Sequence, residues 1–203
     1  MENESVFNPL AKRNLGKSVV DALLESPALK LADVGNFPGA GVYAIYYCGS
    51  FSCYKPLSDL NQVGAEYPIY VGKAIPKGGR KGTSTDASLD STALSKRLQE
   101  HRASIEGVKS LDIQDFSYRF LVVDDIWISL GETLIIQRFL PLWNQVVDGF
   151  GNHDPGAGRY GGMRPSWDEL HPGRSWAAKC KAPKFTKKQI IDSVNAYMGT
   201  LSK

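Results

Sequence analysis

The sequence has little of what marks secreted, membrane or metal-cluster proteins. Three of its 203 residues are cysteine, Cys48, Cys53 and Cys180, an odd number with no Cys-x-x-Cys pair. A disulfide framework and a zinc knuckle are therefore not expected, and a reducing cytoplasm suits the chain best. Apolar runs such as Leu134-Ile135-Ile136 stop far short of a membrane span. The opening Met1-Glu2-Asn3-Glu4-Ser5 is acidic with no apolar stretch behind it, so no secretory signal is expected. Charge of one sign is also scarce: 24 Lys and Arg against 21 Asp and Glu leave +3. That balance alone implies no nucleic acid. The distribution says more, because cations gather at Lys73–Lys81 and again at Lys179–Lys188.

What is present is enough apolar residue for one compact domain with elaborations. Residues 1–15 read as a polar arm. Val19, Val20, Leu23, Leu24, Leu29 and Leu31 recur at helical spacing, and Pro27 splits them into two helices with Ser26 capping the second. Gly41 to Cys48 is almost wholly apolar or aromatic, the pattern of a strand covered on both faces. A long connection, with a short helix near Ser58–Gly64, leads to a second strand over Pro68–Gly72. A Gly/Lys/Ser/Thr-rich loop fills residues 73–91, followed by a helix from Thr92 to about Gly107. Phe116–Val123 alternates as a third strand. Asp124-Asp125 opens a helix that ends before Pro141. A glycine-rich loop spans Asp148–Pro165, and a last helix starts at Thr186 with Gln189 completing a capping box.

Polar groups collect at the ends of these elements: Tyr43, Tyr70, Lys73, Arg97, His101, Glu132 and Asn144. Phosphodiester hydrolysis needs a group to activate water, a divalent cation, and a cation on the phosphate. Glu132 can hold one Mg²⁺ whose other ligands are water and phosphate oxygen. Arg97 can clamp phosphate through its planar fork. A tyrosine can act as base only if a neighbour lowers its effective pKa from ~10. Each residue also has a plainer use. A strand tyrosine commonly packs, a helical Arg four before a His commonly faces solvent, and Asn144 can brace a turn. Glu132, inside an apolar helix, is either a structural ion pair or a metal ligand.

Gly41-Val42-Tyr43 followed by Tyr70-Val71-Gly72 resembles the paired signature of the GIY-YIG nuclease superfamily, with valine for isoleucine both times. Arg97, Glu132 and Asn144 follow in the order of that superfamily, over residues 40–145. Within it, the chain resembles the type II restriction endonucleases that cut CCGCGG. The stretches that carry this are Gly41-Val42-Tyr43-Ala44, Pro68-Ile69-Tyr70-Val71-Gly72-Lys73-Ala74, Arg97-x-x-Glu100-His101 and Pro141-Leu142-Trp143-Asn144. Val147–His153, Pro155–Arg159, Trp167-Asp168 and His171-Pro172-Gly173-Arg174 extend the likeness.

The resemblance implies an α/β (α+β) core, a small three-stranded antiparallel sheet flanked by helices, with N-terminal helical and C-terminal helical and loop extensions. The division would be an arm with helices to residue 39, a nuclease core over 40–145 with insertions at 49–67 and 73–91, and a DNA-contacting loop with helices over 146–203. Tyr43 would serve as base with His101 assisting. Tyr70 would orient groups at the phosphate, Arg97 would stabilise its charge, Glu132 would hold the single Mg²⁺ and Asn144 would support the site. Lys73 would reach the phosphate or the water. A palindromic target implies a homodimer on double-stranded DNA. Arg159, Arg164 and Arg174 are candidate base readers or phosphate contacts, with Asn152 and His153 beside them. Lys77, Arg80 and Lys81 are expected to grip backbone phosphate. A repair or homing-type nuclease, or a DNA-binding module that no longer cuts, is the alternative on the same core.

Overall fold

The computed structural model describes residues 8–76, 86–156 and 160–201. Its centre is strand β2, Gly41–Tyr47, all seven residues of which are buried. It is preceded by helix α1, Lys12–Glu25, and strand β1, Leu29–Lys30. Helix α2, Lys55–Leu60, and strand β3, Tyr70–Ala74, come next. Helices α3, Asp86–Asp90, and α4, Ala93–Glu106, precede strand β4, Phe116–Val122. Helices α5, Asp125–Phe139, α6, Leu142–Gln145, α7, Ser166–Leu170, and α8, Lys187–Leu201, complete the chain. The strands form one antiparallel sheet in the order β1-β4-β2-β3. The three expected strands are there, and the two-residue β1 adds a fourth at the edge.

Side chains alternate across β2, so each face of the strand belongs to a different core. Tyr43, Ile45 and Tyr47 pack with Leu94 and Leu98 of α4, Trp143 of α6, and Ile190 and Val194 of α8. Val42, Ala44 and Tyr46 pack with Val20 and Leu23 of α1 and with Ile128 and Ile135 of α5. This is why the strand reads as an unbroken apolar run. Gly131 lets α5 lie close on the sheet: a Cβ there would stand 3.4 Å from Val42.

Two local expectations change. The second helix after Pro27 does not form. Ser26 Oγ instead donates to the Leu23 carbonyl (2.7 Å) and closes α1. Leu29 and Lys30 then pair with Tyr118 and Ser117, and Leu31–Asp33 make a single 3-10 turn. Pairing with the open edge of β4, together with complete burial of Leu31, wins over helical spacing. The second strand begins two residues later than expected, at Tyr70, after Pro68. The capping box of α8 does form, with the Thr186 N–H donating to Gln189 Oε1 (2.9 Å). All three cysteines are free thiols. No helix among the described residues is long and apolar enough to cross a membrane.

Candidate active site

Both signature glycines are required by close approach. A Cβ on Gly41 would stand 2.0 Å from the Leu121 carbonyl oxygen, and one on Gly72 would stand 2.3 Å from the Tyr43 hydroxyl. Tyr43 and Gly72 are register partners across β2 and β3, so the Tyr43 ring lies over the gap Gly72 leaves. Tyr70, two residues away on the same face of β3, brings its ring centroid to 6.3 Å from that of Tyr43.

Helix α4 supplies the partners of these tyrosines. Arg97 and His101 are four residues apart and share a face. The Tyr43 hydroxyl meets His101 Nε2 at 2.6 Å in a buried contact. His101 stacks on Phe150 with centroids 4.5 Å apart and planes 17° apart. Burial pushes the Tyr43 hydroxyl well above its ordinary 10, Tyr70 and Glu132 push it further, and the Arg97 guanidinium pulls it back. Burial, joined by the charges of Arg97, His153 and Arg174, holds His101 well below its ordinary 6.5. The pair is thus a neutral phenol against a neutral imidazole. The phenol donates to the Nε2 lone pair when that ring carries its proton on Nδ1.

Arg97 is held but not exhausted. Nη1 reaches Glu100 (3.0 Å) and the His153 ring, and Nη2 donates to the Gly151 carbonyl (2.5 Å). Its Nε and one N–H of Nη2 are left over, with the Tyr43 and Tyr70 hydroxyls beside the guanidinium.

The edge strand β3 is fixed from outside. Asn144 Oδ1 accepts from the Val71 N–H (2.8 Å) and Nδ2 donates to the Val71 carbonyl (2.9 Å). The side-chain amide thus stands in for a neighbouring strand and sets the position of Tyr70. On the other face of β3, Lys73 Nζ pairs with Glu132 of α5 at 2.8 Å and lies 3.3 Å from Ser129 Oγ. Glu132 is 21% exposed, so its carboxylate keeps an open side. Among the described residues no cluster of three or more His, Cys, Asp or Glu exists. Glu132 is the carboxylate that could hold a divalent ion here, and Mg²⁺ accepts such a site with water and phosphate oxygen completing the shell.

Beside these groups opens a cleft of about 720 Å³, lined by Lys73, Asp90, Lys96, Arg97, Glu100 and His153 among others. A hollow of about 770 Å³ between Phe51 and Ser110 holds none of the tyrosine, histidine or arginine groups just described. The cleft at Arg97 is the one with chemistry. Lys96, exposed on its wall, is not singled out by the sequence; its place next to Arg97 was the available signal. Phe150, which stacks on His101, left no sequence signal of that contact.

Seven of the expected site residues, Tyr43, Tyr70, Lys73, Arg97, His101, Glu132 and Asn144, therefore meet at one edge of the sheet. Asn152 and His153 are exposed on the loop that reaches Arg97. Arg164 is partly engaged, with Glu169 at 3.0 Å and the Ala177 carbonyl at 3.3 Å. Lys77, Arg80, Lys81 and Arg159 lie outside the described residues. Arg174 corrects the expectation of a base reader. Its five N–H groups go to Asp168 (2.7 and 2.5 Å) and to the carbonyls of Gly149 (2.9 Å), Phe150 (3.1 Å) and Asn152 (3.0 Å). It is 8% exposed, sandwiched between Trp167 and Trp176, and has no donor left for a base.

A small antiparallel sheet with two glycine-spaced tyrosines, an arginine helix and a glutamate helix defines a GIY-YIG nuclease domain. The family described as the Eco29kI GIY-YIG domain matches residues 35–198, and the chain belongs to it. The protein therefore carries a restriction-type nuclease domain, with DNA as its substrate. No curated protein matches the chain.

Proposed function

We propose that this protein is a type II restriction endonuclease. It makes a double-strand break at a short GC-rich palindrome, CCGCGG by resemblance, as a homodimer with one Mg²⁺ per active site. The observation that carries this reading is the buried Tyr43–His101 pair at 2.6 Å, set beside Arg97, Tyr70 and Glu132 within the family's match.

Arg97 clamps a nonbridging phosphate oxygen with its uncommitted N–H groups and stays in place through Glu100 and Gly151. A water attacks phosphorus and the bond to the leaving sugar oxygen breaks. The water's proton passes to the Tyr43 oxygen as the Tyr43 proton passes to His101 Nε2. This relay avoids a free phenolate, which burial makes costly in this pocket. The proton it places on His101 is disfavoured by the same burial and by Arg97, so it is held only while negative charge develops on the phosphate and then returns through Tyr43 to solvent. Tyr70 and Lys73 line the path of the phosphate, and Asn144 keeps β3 from shifting. Mg²⁺ at Glu132 would supply Lewis acidity for the charge that develops on the phosphate and leaving oxygens.

The test is digestion of a sequenced plasmid with Mg²⁺ and mapping of both ends, beside a Glu132→Ala variant. One site class cut on both strands is the expected product, with cleavage lost and duplex binding largely kept in the variant. Undiminished cleavage by Glu132→Ala would remove the metal assignment. Structure-dependent nicking would make the protein a repair-type nuclease. Binding without cutting by the unaltered protein would make it a DNA-binding module.

A further inference from the structure

We propose that Lys179, Lys181 and Lys184 form a second phosphate track, fixed to the loop that lines the cleft, which grips the DNA backbone beyond the cutting site. The inference rests on the reading above, that duplex DNA occupies the cleft.

From Leu170 to Ile191 the chain has no acidic residue and carries Lys179, Lys181, Lys184, Lys187 and Lys188. All five lysines are exposed. Some exposed lysines elsewhere pair with a carboxylate four residues on, as Lys17 does with Asp21 and Lys55 with Asp59, while others, such as Lys12 and Lys109, stand singly and far apart in the sequence. In this segment only Lys188 does so among the described residues, with Asp192 at 2.8 Å. Lys179 and Lys184 instead lie over aromatic rings, those of Tyr160 and Phe185, each with Nζ 5.1 Å from the centroid. A ring face holds a lysine in position without neutralising it. Helix α8 begins beside them with Lys187 and Lys188 and no carboxylate in its first turn. That placement works against the helix dipole and leaves the potential positive.

The ridge is tied to the cleft by bonded steps. His153 contacts Arg97, and the next residue, Asp154, accepts from the Tyr160 hydroxyl (3.1 Å). The Tyr160 ring lies under Lys179. The Lys181 N–H donates to the Gly162 carbonyl and the Arg164 N–H to the Lys181 carbonyl, both at 3.0 Å. Arg174 then locks the same segment to the Gly149–Asn152 backbone. Of the acids along this path, Asp154 accepts from the Tyr160 hydroxyl and Glu169 pairs with Arg164, so neither forms an ion pair with a ridge lysine. The result is a row of positive charge on a fixed base, leading away from the cleft. Its natural partner is a regularly spaced polyanion, and the duplex in the cleft is one.

The experiment measures duplex affinity against salt in the Glu132→Ala background, where no cutting disturbs the equilibrium. Lys179→Gln/Lys181→Gln/Lys184→Gln is compared with Lys17→Gln/Lys55→Gln/Lys109→Gln, which removes the same charge from other surfaces. The slope of log K against log salt should fall by about 2 to 3 in the ridge variant, near 0.9 for each phosphate that is no longer neutralised. The control should keep the parent slope, and arginine at the three ridge positions should restore it. Equal slopes in the two glutamine variants would overturn the track. In that case cleavage by the unaltered protein would leave the nuclease reading standing. If the unaltered protein neither bound nor cut duplex DNA, both readings would fall.

Discussion

Two arginines hold the same loop and differ in what they have left. Arg97 donates to the Gly151 carbonyl, and Arg174 donates to the carbonyls on either side of it. Arg174 has an aspartate of its own, two tryptophan faces and no unused N–H. Arg97 has Glu100 and His153 at a half-exposed rim and two N–H groups to spare. Histidine repeats the contrast. His101 meets the Tyr43 hydroxyl at 2.6 Å, and His171 meets the Tyr54 hydroxyl at 2.7 Å. The second pair is closed on both sides: Ser110 Oγ lies 2.8 Å from His171 Nδ1, and Trp143 Nε1 donates to the Tyr54 hydroxyl (3.0 Å). Residue type and pair distance thus do not separate chemistry from architecture here. Leftover hydrogen-bonding capacity beside a cleft does.

The widest separation between the two regions should come from matched lysine substitutions. Arg97→Lys should lower cleavage about 100-fold or more, because one ammonium cannot replace a planar fork aimed at developing charge. Its melting temperature should barely move. Arg174→Lys should do the reverse. It leaves Asp168 and three carbonyls short of partners in a buried site, at about 3 to 5 kcal/mol, a drop of roughly 10 °C for a chain of this size. Thermal melts and cleavage rates on the same preparations decide it. A stable Arg174→Lys protein with altered sequence preference would return Arg174 to the base readers.

A pair of glycines sharpens the same line with a smaller effect. A methyl on Gly72 would sit 2.3 Å from the Tyr43 hydroxyl, and one on Gly173 would sit 2.1 Å from the Gly107 carbonyl. Both overpack by similar amounts, so each should cost about 1 to 3 kcal/mol of stability. Only Gly72→Ala displaces the Tyr43–His101 contact, so only that variant should lose more than tenfold in cleavage at a temperature where both are folded. Equal cleavage by the two variants would mean that the position of Tyr43 is not critical.

Much of this contrast could be read from the sequence, but not its decisive part. The sheet was legible because β2 is a seven-residue run with no polar break, and α5 because Asp124 and Pro141 bracket it. Strand β1 was not, since two residues carry no periodicity and their strand state depends on an open edge of β4. The cluster of Tyr43, Arg97, Glu132 and Asn144 followed from the order of motifs along a resembling family rather than from spacing. Arg174 was misjudged for a physical reason. A Gly/Trp-flanked arginine looks the same in sequence whether it faces DNA or a buried aspartate, and Asp168 six residues earlier became its partner only through the turn at His171–Gly173. Glu132 was posed as ion pair or metal ligand, and the structure pairs it with Lys73 while leaving one side open.

The last effect, read only as a difference along pH, concerns the closed histidine. Burial lowers His171 from 6.5 to about 3, with Lys187 adding to the shift. Above pH 6.5 both folded and unfolded chains hold it neutral, and its hydrogen bonds to Tyr54 and Ser110 count in full. As the pH falls below 6.5 the unfolded chain takes a proton that the folded chain refuses, so stability drops, by up to about 1.4 kcal/mol per pH unit. The loss ends near pH 3, where the folded protein also binds the proton. His171→Gln removes the titration, so its deficit against the unaltered protein should be largest at neutral pH and shrink on acidification. Urea unfolding from pH 7 to pH 4 gives that difference directly, with other acid-labile groups common to both proteins. A deficit that stays constant over the range would mean that His171 titrates normally and is open to water.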